Sequence, residues 1–161
     1  MTAVSVGLAD RLASAVGGTT DQGYGDVTVD VEPGRWVVAL TAARDDLGLT
    51  FFDWLSAVDE LAGFSVVCHL VDPVGHGHLM VRTRIPVVDS AGDPVVDSAT
   101  AVYAGAAWHE RETHEMFGID FRGHPGLRPL LLPDGFEGRP LRKDFVLTAR
   151  TEKEWPGAKK P

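Results

Sequence analysis

Apolar positions change their spacing several times along the chain, and each change marks an element. Val4, Leu8, Leu12 and Ala15 recur at helical spacing through residues 3–16, and Gly17-Gly18 ends the run. Residues 19–25 read as a polar loop. Val27, Val29 and Val31 then alternate with polar neighbours, as in a half-buried strand. Pro33-Gly34 reads as a turn, and Arg35–Leu40 as a second strand or a strand leading into a helix.

Leu47, Phe51, Leu55, Val58 and Ala62 form a stripe that predicts a helix over 45–62, with Asp45 and Asp46 at its positive end and Gly63 as its stop. Phe64–Val71 reads as an apolar strand, residues 72–77 as a hairpin loop, and His78–Ile85 as its partner. Leu79, Val81, Thr83 and Ile85 fall on one face of that partner, with Met80, Arg82 and Arg84 on the other. Residues 86–97 read as a loop, about 98–117 as a helix interrupted or starting late near Gly105 and closed by Gly118, and 119–121 as extended.

After Phe121 the pattern breaks. Six of the ten prolines follow residue 124, and they forbid a long helix or a central strand. The prediction is an α+β domain over 1–121, with helices packed on one face of a mostly antiparallel sheet. An extended, Pro-containing C-terminal tail follows over 122–161.

Charge and composition narrow the function. The 161 residues carry a net charge of −8, which excludes a general nucleic-acid binder. Residues 1–107 hold 5 Lys and Arg against 14 Asp and Glu, whereas 146–161 hold 4 against 2, so body and tail suit different partners. The single cysteine, Cys68, excludes an internal disulfide and any cysteine-ligated cluster made by this chain alone. No apolar run reaches the roughly 18–20 residues of a membrane helix. Any membrane association is therefore expected to be indirect.

Candidate chemistry is sparse. His109 and His114 are five positions apart, which projects them to different sides of a helix. Glu110 and His114 have the i, i+4 spacing of a two-ligand site, so a free-standing metal-dependent enzyme using His109, Glu110 and His114 is one reading. His76 and His78 lie in and beside a Gly-rich turn and read as surface loop. No phosphate-binding glycine motif, nucleophile elbow or catalytic triad is present, so no catalytic, cofactor or metal residue is assigned. Trp108, Glu112 and Met116 share a helical stripe, which predicts that Glu112 pairs with a tail arginine: Arg122, Arg128, Arg139 or Arg142. The tail interleaves Leu and Phe with Arg, the composition of an interface strip.

The strip from Glu110 onward carries a specific resemblance. Glu110-Arg111-Glu112, Met116-Phe117-Gly118-Ile119, Phe121, Gly123-His124-Pro125, Leu127-Arg128, Phe136-Glu137-Gly138 and Pro140-Leu141-Arg142-Lys143-Asp144-Phe145 resemble the signature of the respiratory-chain 30-kDa subunit family of NADH-quinone oxidoreductase (complex I). Phe52–Asp59, Val67–Leu70 and Arg82–Pro86 extend the match upstream. His114-Glu115 stand where the family commonly has an aromatic followed by Asp, and Pro129 where it has a further Arg.

The resemblance implies an accessory, non-catalytic subunit of the peripheral arm of a proton-translocating enzyme. That enzyme passes electrons from NADH through FMN and iron–sulfur clusters to quinone. The chain would hold no cofactor itself; FMN and the clusters would lie in partner subunits. It would brace the large quinone-site subunit, beside neighbouring iron–sulfur subunits, on the cytoplasmic face of the cell membrane. The interface residues implied are Glu110, Arg111, Glu112, Phe117, Phe121, His124, Arg128, Phe136, Arg142, Lys143 and Phe145. The equivalent subunit of a membrane-bound [NiFe] hydrogenase or a ferredoxin-linked complex is the alternative.

Overall fold

The computed structural model describes residues 3–23, 25–60, 62–86 and 93–147. In chain order the elements are α1 (Ala3–Val16), β1 (Thr19–Asp21), β2 (Thr28–Val31), a 3-10 turn (Pro33–Arg35), α2 (Trp36–Asp45), β3 (Phe51–Asp59), β4 (Gly63–Val71), β5 (His78–Pro86), β6 (Val95–Asp97), α3 (Ala106–Phe117) and β7 (Asp120–Arg122). The main sheet has the order β1-β2-β5-β4-β3, and every pair is antiparallel except β2 with β5. The expected α+β class, with a mostly antiparallel sheet, is what the chain forms.

One face of the sheet is the core. Val29 and Val31 on β2, Leu55 and Ala57 on β3, Phe64, Val66, Cys68 and Leu70 on β4, and Leu79, Val81 and Ile85 on β5 are all buried there. Helix α1 adds Leu8, Ala9, Leu12, Ala13 and Val16, a stripe that only a 3.6-residue period keeps on one side. Gly17 at φ 71 closes it, and the Gly18 N–H donates to Ala13 O at 2.9 Å, the paired bond of a glycine C-cap. Cys68 is buried, and burial followed by the nearby Glu110 charge pushes its thiol well up. It is therefore an inert core residue.

Several local expectations are corrected. Residues 51–59 are the edge strand β3, not part of a helix. Leu47, Phe51 and Leu55 are four apart, and four is even, so the spacing suits a strand's period of two as well. The aromatic content of FFDWLSAVD favours a strand, and pairing with β4 decides the matter. Asp45 and Asp46 accordingly lie at the end of α2, not at the start of a helix. Residues 36–45 are helix α2, because Trp36, Ala39, Leu40 and Ala43 are buried at i, i+3, i+4, i+7 and Pro33 opens the turn before them. Residues 19–21 pair with β2 rather than forming loop. Val95–Asp97 pairs in parallel with Asp120–Arg122 as a separate two-stranded ribbon. Helix α3 starts at Ala106, which is the late start near Gly105 that the sequence allows.

Candidate functional site

Helix α3 presses Ala106, Glu110, Thr113 and Phe117 inward, and Phe117 meets Phe64 of the sheet edge-on at 6.3 Å. Glu110 is a carboxylate in that dry layer, with no exposed surface. Its Oε1 accepts the Ala99 N–H at 2.6 Å and its Oε2 accepts the Ser98 hydroxyl at 2.6 Å. Burial drives its carboxyl up to about 7, against the downward pull of those two donors. Glu110 pins the turn after β6 to α3.

Glu115 is buried on the opposite side, beneath residues 130–132. Its carboxylate accepts three consecutive backbone amides: Leu130 at 3.1 Å, Leu131 at 2.9 Å and Leu132 at 2.9 Å. Burial raises its carboxyl, but the Leu131, Leu132 and Leu130 amides and the Arg111 guanidinium outweigh it and hold it below the usual range. Three successive N–H groups facing one anion form a backbone nest.

The C-terminus of α3 is fully capped. Its last four carbonyls lack helical partners by geometry alone. His114 O accepts the Gly118 N–H at 2.8 Å, Glu115 O the Arg139 Nη1 at 3.2 Å, Met116 O the Leu141 N–H at 3.2 Å, and Phe117 O the Arg142 Nε–H. The Arg142 guanidinium also lies 5.2 Å from the centre of the Phe64 ring. Gly118 has φ 76, and a Cβ there would sit 2.9 Å from both Arg139 Nε and Arg142 Nη2. Only glycine serves both demands.

Further ties fasten the tail to α3. Arg111 donates to Arg128 O at 3.0 Å and to Pro129 O at 2.8 Å, and its guanidinium lies 5.2 Å from the Trp108 ring. His124 Nδ1 accepts the Gly126 N–H at 2.9 Å, which leaves Nε2 to donate to Ala107 O at 3.1 Å. Phe136 and Phe145 stack at 6.2 Å, and the Lys143 N–H donates to Asp59 Oδ2 on β3 at 2.8 Å. The described part of the tail is thus an extended strap on its own domain. Residues 148–161 lie outside the described residues.

These contacts sort the residues expected at an interface. Glu110, Phe117 and Phe121 are buried within the chain, where they support the surface from beneath. Arg111, His124, Phe136, Arg142 and Phe145 are half-buried under or along the strap, and Glu112, Arg128 and Lys143 are exposed. The expected pairing of Glu112 with a tail arginine is not made. Glu112 faces solvent and forms no ion pair among the described residues, and Glu115 holds the tail through amides instead. His114 and Pro129, where the chain departs from the common pattern, have local partners: His114 Nδ1 lies 2.8 Å from Ile119 O, and Pro129 O accepts from Arg111. The metal reading of His109, Glu110 and His114 fails on geometry. His109 Nδ1 is 3.4 Å from the Leu55 N–H, Glu110 faces Ser98 and Ala99, and His114 faces Ile119. Sequence reasoning missed the role of Glu115 and the exposed Val146 and Leu147, whereas Leu131 and Leu141, expected among the tail's apolar anchors, are exposed along the strap. A Glu just before a glycine-capped helix end, followed by three consecutive leucines, was the available signal.

Residues 29–151 match the family model described as respiratory-chain NADH dehydrogenase, 30 Kd subunit. An NADH-quinone oxidoreductase subunit of Mesorhizobium japonicum is 40% identical over 157 residues, spanning 92% of this chain and 74% of that protein. The corresponding NADH-quinone oxidoreductase subunit of Citrifermentans bemidjiense is 37% identical, spanning 94% and 93% respectively. Among solved structures, a chain of the membrane-bound sulfane sulfur reductase, an archaeal respiratory membrane complex, shares the fold. It has a TM-score of 0.74 at 22% identity, over 89% of this chain and 86% of that one.

Proposed function

The chain belongs to the family of the respiratory-chain NADH dehydrogenase 30-kDa subunit, and from that membership we propose that it is a non-catalytic brace in the peripheral arm of a proton-translocating NADH-quinone oxidoreductase. Electrons would pass from NADH through FMN and iron–sulfur clusters held by partner subunits, and the chain would hold none of those groups. It would dock on the quinone-site subunit, beside the iron–sulfur subunits, peripherally at the cytoplasmic face of the membrane. Among the described residues no helix is long and apolar enough to cross a membrane, so its attachment is assigned to partners.

The observation that carries this reading is the strap on α3. The chain satisfies every carbonyl at the end of α3 and buries Glu115 under three amides, which makes the strap rigid before any partner arrives. The strap then leaves Leu131, Leu141, Val146 and Leu147 exposed, with Arg128 and Lys143 also facing solvent. A preformed ridge of apolar and cationic groups has the make-up of a docking surface, and rigidity lowers the entropy lost on binding. Purification of the chain with its partners from native membranes is the test. Recovery with a flavin-bearing NADH-oxidising subunit and the quinone-site subunit supports the reading; recovery alone counts against it.

A second reading keeps the same brace in a different machine, a ferredoxin-linked or hydrogenase-type complex, since the fold also occurs in another respiratory membrane complex, the sulfane sulfur reductase. Recovery with a subunit carrying nickel ligands, and without the NADH-oxidising subunit, would select it.

A further inference from the structure

The face of the sheet opposite the core carries a second constellation, distant in sequence from the strap. Strands β4 and β5 pair with Val71 opposite His78 and His69 opposite Met80. His69 and His78 are therefore diagonal neighbours on one face, within reach of each other. Strand β2 runs parallel to β5 with Thr28 opposite Met80, so Asp26, two residues earlier, comes level with His78. His69 Nε2 lies 3.3 Å from His78 Nδ1, His78 Nδ1 lies 3.3 Å from Asp26 Oδ1, and His69 Nε2 lies 3.9 Å from Asp26 Oδ2.

We propose that Asp26, His69 and His78 form a binding site for a borderline divalent transition-metal ion, with zinc the best match. Two imidazole nitrogens and one carboxylate suit zinc and its neighbours, whereas magnesium and calcium take all-oxygen shells. A tetrahedron with bonds of about 2.0–2.1 Å has edges of about 3.3–3.4 Å. Two of the three donor separations already have that length, and a small rotation of the Asp26 carboxylate brings in the third.

The surroundings are those of a metal ligand set. Asp53 Oδ2 lies 2.9 Å from His69 Nδ1, so the ring donates there and presents a bare Nε2 to the other two residues. A carboxylate behind a ligating imidazole fixes its tautomer and orientation. Trp54 stacks on the same ring, 5.9 Å away at 20°. The His69 side chain is 12% exposed, while those of His78 and Asp26 are 30% and 33% exposed. The site thus has a fixed floor and an open rim where a fourth ligand can enter. A bound ion would clip the turn at Asp26 to β5. This proposal is independent of the assembly reading above, because none of its residues belongs to the strap.

The test uses the full-length, untagged chain after chelator treatment. Titration with Co2+ should give one ion per chain and the intense visible band of tetrahedral cobalt, lost on adding Zn2+. Zinc at a hundredfold over its Kd should raise Tm by about 5–10 °C. His78→Gln and Asp26→Asn, both at partly exposed positions, should each weaken zinc binding at least about tenfold. Asp53→Asn should weaken it by about 10–100-fold. His76→Gln, a change at the exposed histidine of the neighbouring turn, should leave it unchanged. No zinc bound at micromolar concentration, or binding unaltered by His78→Gln and Asp26→Asn, would overturn the assignment. So would equal weakening by His76→Gln.

Discussion

Glu110 and Glu115 lie on the same helix, and their surroundings drive their carboxyls in opposite directions. Glu110 titrates at about 7 in the folded chain and near 4.3 when unfolded. The folded state therefore binds the proton more tightly. Its contribution is fully present below about pH 4.3, and it is lost as pH rises to about 7. Urea unfolding should show Glu110→Gln gaining on the parent between pH 5 and pH 8, by up to about 3 kcal/mol. Parallel pH profiles would contradict the burial argument.

Glu115 has the reverse sign. Its carboxyl is held low, so its stabilisation is present above the ordinary carboxylate range and is lost as pH falls through the folded value. Glu115→Gln turns an amide group toward the nest and should cost about 2–3 kcal/mol at pH 7. Thr83, on the core face of β5, has a hydroxyl with no hydrogen-bond partner among the described residues. Thr83→Val should stabilise the chain by about 1 kcal/mol and raise Tm by about 2–4 °C. Which carboxylate is buried is not legible in the sequence. The stripe of Trp108, Glu112 and Met116 reads as half-buried, yet Trp108 is 63% exposed. The buried side of α3 is set by where the sheet and the strap lie, not by the helix's own spacing.

At the scale of elements, legibility follows the strength of local signals. Helix α1, strands β4 and β5 and the hairpin between them are readable because glycines bound them and their periods are unambiguous. Strand β3 reads as a helix because a spacing of four serves both periods, and only its ladder with β4 separates them. Of the ribbon, only the extended stretch at 119–121 is readable; β6 and the pairing are hidden because the strands are three residues each and pair across α3. Gly118 is legible as a helix stop, and its second task, making room for Arg139 and Arg142, emerges only in three dimensions. Arg142→Ala should uncap Phe117 O and lose the contact with Phe64, at a cost of about 1–2 kcal/mol. Hydrogen exchange should then quicken in residues 123–147 more than in β4 and β5. Uniform quickening would place the strap inside the cooperative core.

At the scale of the molecule, the sheet has two faces with different tasks. One is sealed by three helices and closed by the strap, which arranges the exposed ridge assigned to assembly. The other brings together Asp26, His69 and His78. Those residues are 43 and 9 positions apart along the chain, so no spacing rule finds them until the strand order and register are known. The strap also divides the tail arginines, which the sequence alone cannot tell apart. Arg142 is committed to the end of α3, while the Arg128 side chain faces solvent. Charge reversal at Arg128 and Lys143 therefore isolates docking from folding.

Affinity purification of the Arg128→Glu, Lys143→Glu double variant from native membranes, beside the unaltered chain, tests that claim most directly. The unaltered chain should carry the quinone-site and iron–sulfur subunits with it. The double variant should lose most of them while its own Tm stays within about 2 °C, because neither side chain is buried. Undiminished recovery of those partners with the double variant would contradict the account, as would recovery of the unaltered chain alone.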